Sequence, residues 1–412
     1  MSHEVPSGWS LATLESFVEE FKVLDSVGNL PPLSVTKSNG IVFQSEKFNK
    51  RIANASSSNY KVVRSGEYSY DPMSLYYGAI GRLNVCDAGI VSPAYVTFRL
   101  KGAIERDFFD LYVKTSDFLV EVNKVTEGGN QDGKRKKTDW NSFCSLPISV
   151  PPLHEQRRIA EILSSVDGAI AATRAVIEQT RKVKQGVLER LLTKGIGHTR
   201  FKQTEIGEIP EGWCLRRLEE IADIDRGKFS VRPRNDPRYF GGDVPFVQTG
   251  DVVSSDGLLT KHSQTLNQLG RAVSKEFPSG TILITIAANI GDTAITTYPV
   301  CCPDSVVGIV PHDGTEADWL REYLVLQKGS LDRQATQNAQ KNINLQHLRP
   351  MPVVVPPLEE QQNISRGIRA MNASMADTGV ELARMVSLRS SLMSDLLTGR
   401  KRVIDALPMA AE

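Results

Sequence analysis

A chain of 412 residues, 40% hydrophobic and 24% charged, has room for two globular domains of about 150 residues, each large enough to bury its own core, with helices left over. Its 49 Lys and Arg against 48 Asp and Glu leave a formal charge of +1, less basic than a self-sufficient nucleic-acid binder. Residues 1–10 lack the basic and apolar runs of a signal peptide, and the most apolar stretch, 281–290, is about half the length of a membrane span, so a cytoplasmic protein with no membrane partner is expected.

In chain order, Pro6, Gly8, Trp9, Leu11, Leu14 and Glu15 form a front that opens an α+β region. Runs 60–64 and 90–100 alternate or are β-rich and read as strands, and 107–122 reads as a helix with aromatic anchors. A basic block, Lys134, Arg135, Lys136 and Lys137, follows. Pro151 and Pro152 then end an extended segment and preset the first turn of a long helix. Its apolar seam runs through Ile159, Leu163, Val166, Ile170, Ile177, Val183, Val187 and Leu191 at spacings of three and four, with Thr173 and Thr180 between. Residues 194–210, rich in Gly, Thr and charge, read as a linker.

The second half repeats the scheme. Pro210, Gly212, Trp213, Leu215, Leu218 and Glu219 match the front at a displacement of 204 (9 to 213). Strands are expected over 244–247, 281–286 and 306–310, and a helix over 317–328. Val-Pro-Pro-Leu-Glu-Glu-Gln at 355–361 repeats Val-Pro-Pro-Leu-His-Glu-Gln at 150–156, now displaced by 205 (151 to 356), and the second helix carries Ile364, Ile368, Met371, Met375, Leu382, Leu388, Leu392 and Leu396. Both seams share an irregularity: a base, Lys184 or Arg389, stands where strict alternation asks for an apolar residue, and Val183 or Leu388 precedes it. The bases are therefore expected to be exposed and to face a common partner. A repeat of this length is a duplicated domain plus helix, not a solenoid. Helices of about 40 residues would be about 60 Å long, and a pseudo-twofold axis would pair them antiparallel between the two domains. The expected organisation is a first domain over 1–150, a helix over 151–195, a linker over 196–210, a second domain over 211–355, a helix over 356–399 and a tail over 400–412.

Chemistry is harder to find. The sequence holds no phosphate-binding Gly-x-x-x-x-Gly-Lys-Ser/Thr, no Gly-x-Gly-x-x-Gly after a strand and no His-Glu-x-x-His. Cys86, Cys144, Cys214, Cys301 and Cys302 show no Cys-x-x-Cys spacing and suit reduced thiols, so no metal is expected. His154 is matched by Glu359 in the other copy, against a catalytic role. Side chains able to read bases and hold phosphates do cluster in the parts that differ between the halves. In the first half these are Tyr76, Tyr77, Arg82 and Lys134 to Lys137. In the second they are Arg226, Lys228, Arg232, Arg234 and Arg238, then Gln248 and Thr249, then Gln337, Asn338, Gln340, Lys341 and Asn342.

The twice-present Pro-Pro-Leu-x-Glu-Gln, Gly-Glu-Ile-Pro-Glu-Gly-Trp at 207–213, Gly-Asp-Val-Pro-Phe-Val at 242–247, and Asp-Pro-Met-Ser-Leu and Gly-Ile-Val-Ser-Pro-Ala-Tyr at 71–75 and 89–95 together resemble the specificity subunit of a type I restriction-modification enzyme. The resemblance spans essentially the whole chain. It implies a non-catalytic subunit with two target recognition domains, each reading part of a split double-stranded DNA sequence, and two helices that set the spacing. It also implies docking of two modification subunits that use S-adenosylmethionine to methylate adenine N6, and of restriction subunits that use ATP and Mg; the chain itself would carry no cofactor. Two other readings remain: a coiled-coil scaffold without DNA specificity, and a self-contained DNA methyltransferase or nuclease.

Overall fold

In the computed structural model, residues 5–26, 28–47, 59–129, 134–287, 289–336 and 342–403 are described. The chain divides into two compact units, one of residues 1–174 with 380–412 and one of residues 175–379, so each unit holds part of both long helices. These helices are Leu153–Lys194 and Leu358–Leu397.

The first unit is α+β. A four-stranded antiparallel sheet runs in the order Val18–Glu20, Val96–Leu100, Tyr68–Tyr70, Ile80–Arg82. Its core is aromatic: Tyr68, Tyr70, Phe98, Phe108, Phe109, Phe118 and Phe143 are all buried, with the Tyr68 and Phe98 rings stacked 5.2 Å apart. The run 90–100 is two strands, because a turn closed by Tyr95 N–H on the Ser92 carbonyl (3.0 Å) interrupts it. The helix expected over 107–122 is also two, Arg106–Tyr112 and Ser116–Val125. Thr115 causes the break, since its hydroxyl accepts from Phe118 N–H (3.2 Å) and starts a new helix.

The second unit carries a five-stranded sheet ordered Ala222–Arg226, Val306–Pro311, Ile282–Thr285, Thr293–Thr296, Leu258–Leu259, and a four-stranded one built on Phe240–Phe246. The helix Ala317–Thr336 outlasts the expected 317–328 and buries Trp319. The segment read as a linker folds as an antiparallel hairpin, Phe201–Thr204 with Gly207–Pro210. Gly207, at φ 112°, supplies the positive φ this tight turn needs.

The repeated sequence produces a repeated bonding scheme. Strand Ser10–Thr13 pairs with Pro147–Val150, and Cys214–Arg217 pairs with Pro352–Val355 in the same antiparallel register. Gln156 accepts from Glu105 N–H (2.7 Å) and donates to the Ala103 and Pro151 carbonyls. Gln361 accepts from Glu316 N–H (2.9 Å) and donates to the Gly314 and Pro356 carbonyls. Glu105 and Glu316 in turn cap the helices that begin at Arg106 and Ala317. The Trp9 indole donates to Glu155 (3.1 Å) and the Trp213 indole to Glu360 (2.9 Å). The Pro-Pro-Leu-x-Glu-Gln motif is thus a joint: its Pro pair starts the helix, its Glu holds the front and its Gln holds the domain.

The segment following the opposite helix completes each joint. In the first unit Arg402 makes a bidentate bond to Glu155 (2.7 and 2.8 Å) and also donates to the Ser7 carbonyl. In the second, His198 contacts Glu360 at 2.9 and 3.0 Å, and Ile196 N–H donates to it. Gly195 and Gly399, at φ 68° and 69°, turn the chain out of the helices beside Trp213 and Trp9 respectively. These positions, with His198 and Arg402, are displaced by 204, so the step from 205 to 204 falls at the helix end.

The helices pack antiparallel within the units. In the first, Asp167 meets Arg389 and Thr173 meets Met385; in the second, Leu188, Leu191 and Leu192 share a core with Ile364, Ile368 and Met371. The seam differs from the sequence expectation at its shared irregularity. Val183, Val187 and Leu388 are 53%, 37% and 54% exposed and lie outside it, whereas Lys184, Leu188 and Arg389 are half-buried. Strict alternation therefore continues through the bases. An α-helix keeps its pitch whatever side chain arrives at a position, and a long basic side chain can bury its stem while its charged end finds a partner. Arg389 finds Asp167, whose carboxylate raises the guanidinium pKa through their hydrogen bond; it does not stand exposed toward a partner.

Candidate nucleic-acid interface

In the first unit Tyr76 and Tyr77 sit on a single turn of 3-10 helix, Leu75–Tyr77, ended by Gly78 at φ 93°. Their ring centroids lie 4.0 Å apart, and Tyr77 is 56% exposed. The adjacent Tyr77 side chain raises the Tyr76 phenol pKa. Strand Lys134–Lys137 pairs with Glu127–Gly129, and Thr138 N–H bonds the Pro72 carbonyl (2.9 Å), fastening the basic hairpin beside the tyrosine turn. The Lys136 ammonium lies 5.0 Å from the Tyr76 ring centroid, a cation–π contact, and Lys136 and Lys137 are exposed. The fold thus brings together Tyr76, Tyr77 and Lys136, residues far apart in sequence.

Arg82 does not join them. Its guanidinium pairs with Asp107 (2.5 Å) and Asp110 (2.8 Å), and its side chain is only 18% exposed. Burial opposes its charge, but the two carboxylates more than offset this and raise its pKa. Burial also raises the Asp110 pKa, against the pull of Arg82. Arg82 is committed to holding the helix Arg106–Tyr112 on the sheet.

The basic run of the second unit separates into free and committed cations. Arg226 and Lys228 are exposed, and among the described residues neither forms an ion pair. Arg232 donates to the Phe229 and Val231 carbonyls (3.3 and 2.8 Å) and so braces its own loop. Arg234 reaches both Asp304 carboxylate oxygens through Nη2 (2.8 and 2.9 Å). Arg238 is bidentate on Asp236, whose pKa is lowered by hydrogen bonds from Arg238. The interleaved aromatics are core: Phe229 packs 5.1 Å from Phe246 and contacts Tyr239 and Phe240.

Gln248 precedes the helix Thr249–Ser254, of which Thr249 is the first residue. Its side-chain amide donates to Gln264 (2.9 Å), and its N–H bonds Asp251 (2.8 Å). Two amides paired in this way still leave a donor and an acceptor free. Asn342 forms an isolated bridge with Ala287, while Gln337, Asn338, Gln340 and Lys341 lie outside the described residues. A hollow near that bridge, lined by Asn289, Asp292, Lys328 and Asp332 among others, carries two carboxylates against one ammonium and is poorly suited to phosphate.

Sequence reasoning missed Gln264, Arg402 and His198. No signal identified Gln264, but the 204 displacement that aligns His198 with Arg402 was available in the sequence. Among the described residues no group of His, Cys, Asp and Glu could hold a metal ion, and no helix is long and apolar enough to cross a membrane.

Residues 40–180 and 210–376 match the Type I restriction modification DNA specificity domain. The chain belongs to this family. It is 30% identical to the putative type I restriction enzyme MjaX specificity subunit of Methanocaldococcus jannaschii over 321 residues, 76% of this chain and 69% of the relative. Its fold is similar to that of the HsdS subunit from Thermoanaerobacter tengcongensis, with a TM-score of 0.56 at 20% identity over 97% of this chain and 98% of the other. A second structure, described as the structural basis of complex assembly and conformational transition of the type I R-M system, matches with a TM-score of 0.63 at 19% identity over 96% and 98%. The chain is a type I specificity subunit: it determines which DNA is recognised, carries no cofactor and performs no catalysis itself. Of the open readings, the DNA-blind scaffold and the self-contained enzyme are thereby set aside.

Proposed function

We propose that this specificity subunit reads a bipartite duplex target, one half through each unit, with the paired long helices as the spacer. The observation that carries the proposal is the pairing of an identical joint, Trp–Glu–Gln with its capping Glu, with unlike polar surfaces in the two halves. Selection of a split site calls for this combination of constant frame and variable reading surface. In this reading 1–150 and 211–355 are the target recognition domains, 151–195 and 356–399 the spacer helices, 196–210 the connection and 400–412 the tail. Tyr76, Tyr77, Lys136 and Lys137 engage one half-site. Arg226, Lys228 and the Gln248 and Gln264 amides engage the other, the cations on phosphates and an amide on an adenine edge. Half-sites on one face of DNA recur about every 34–36 Å, within reach of helices about 60 Å long.

The near-neutral chain needs partners for its grip on DNA. In the proposed assembly two modification subunits, which supply S-adenosylmethionine chemistry at adenine N6, occupy the two equivalent frames. Restriction subunits working with ATP and Mg join them, in the cytoplasm. The test is methylome sequencing of cells expressing the chain with its modification partner. A single split motif with modified adenines is expected; a complex that modifies no motif, or a continuous one, refutes the proposal.

A further inference from the structure

The seam between the long helices is poorly equipped to choose its own register. Apolar and Thr positions recur every three or four residues on both helices, so a slide of seven residues returns seam residues opposite seam residues. Hydrophobic contact is non-directional, and the second helix supplies Met371, Met375, Met385 and Met393, whose flexible side chains adapt to many facing shapes. One ion pair among the described residues interrupts this uniformity. Arg389 is bound at two points by Asp167, through Nε to Oδ1 and through Nη2 to Oδ2 at 2.9 Å, with the side chains 27% and 43% exposed. The other half offers no copy of it: the positions displaced by 205 are Lys184 and Asn372, a cation and a neutral amide.

We infer that the Asp167–Arg389 pair is the positioning element that fixes the register of the two helices and thereby the spacer length of the DNA target. The inference rests on the bipartite reading proposed above. After a slide of one heptad, Arg389 would face either Arg174 or Ala160, and Asp167 either Leu396 or Leu382. The first alternative sets two cations together, and the second buries a guanidinium against a methyl group; both are penalised while the true register is rewarded. Seven residues are about 10 Å of helix, equal to about three base-pair steps at 3.4 Å each. A register error would therefore appear as a changed gap between unchanged half-sites.

The experiment uses the full chain co-expressed with its modification partner and reads the spacing of modified half-sites across the genome. Asp167→Arg and Arg389→Asp are each expected to cut modification at the parental spacing at least tenfold and to produce the same half-sites at additional spacings. The charge-swapped double variant is expected to restore the parental spacing. Asp167→Asn, which keeps the shape and removes the charge, is expected to show the relaxed spacing if either charge reversal fails to fold. Parental spacing alone in folded Asp167→Asn, or no recovery in the double variant, would overturn the inference and assign the register to the joints at the helix ends. Absence of a split motif in the unaltered protein would instead refute the bipartite reading.

Discussion

The two joints place the same glutamate under different chemistry. Glu155 is fully buried and held by a bidentate arginine together with the Trp9 indole. Glu360 keeps 14% side-chain exposure and is held by an imidazole, a backbone N–H and the Trp213 indole. A buried carboxylate is costly unless it is paired or fully hydrogen-bonded, and arginine supplies both two N–H donors and a charge that persists. A partly hydrated one can be satisfied by neutral donors. The geometry is repeated, and the more deeply buried of the two glutamates is the one held by arginine.

The sharpest way to break the comparison is Arg402→Ala. It leaves Glu155 buried without its cation and should cost the first unit about 3–5 kcal/mol, measurable as a lowered urea midpoint with hydrogen exchange accelerated around Trp9. Gln156→Ala and Gln361→Ala each remove one acceptor and two donor bonds, and should cost about 2–3 kcal/mol in their own units at about 1 kcal/mol per bond. Equal losses would support equivalent joints, and a clear difference would refute that. His198→Ala should cost only about 1–2 kcal/mol, because Glu360 retains two donors and some water; a loss equal to that of Arg402→Ala would abolish the distinction drawn here. The smallest effects are on DNA. Replacing Arg226 and Lys228 by Ala should reduce the salt slope of binding by the assembled complex by about 2, at about 0.9 per phosphate contact. Replacing Arg234 and Arg238, already neutralised by Asp304 and Asp236, should leave it unchanged.

Much of the frame was legible in the sequence, because duplication marks what is shared. The Pro-Pro-Leu-x-Glu-Gln passages, both long helices and most of the seam follow from periodicity alone. Lys184 and Arg389 could not be placed in the seam, since a base at a seam position resembles a surface base until the facing residue is known. Asp167, 222 positions away from Arg389, provides that information only after folding. The basic clusters were misleading for the same reason: Arg82, Arg234 and Arg238 look like phosphate ligands until Asp110, Asp304 and Asp236 are seen against them. Charge in a sequence is a count, whereas charge available to a ligand is what remains after pairing. Turn chemistry at Ser92 and Thr115 accounts for the strand and helix that proved to be two.

The first unit is discontinuous, requiring residues 380–412 to complete what residues 1–174 begin, while the second is the uninterrupted stretch 175–379. On the ribosome, the half made first is therefore the last to be finished. Glu155 must wait, in an open domain, for Arg402 to emerge from the exit tunnel, 247 residues and more than the whole second unit later. A chain that stops after residue 379 would carry a complete second unit and an unclosed first one.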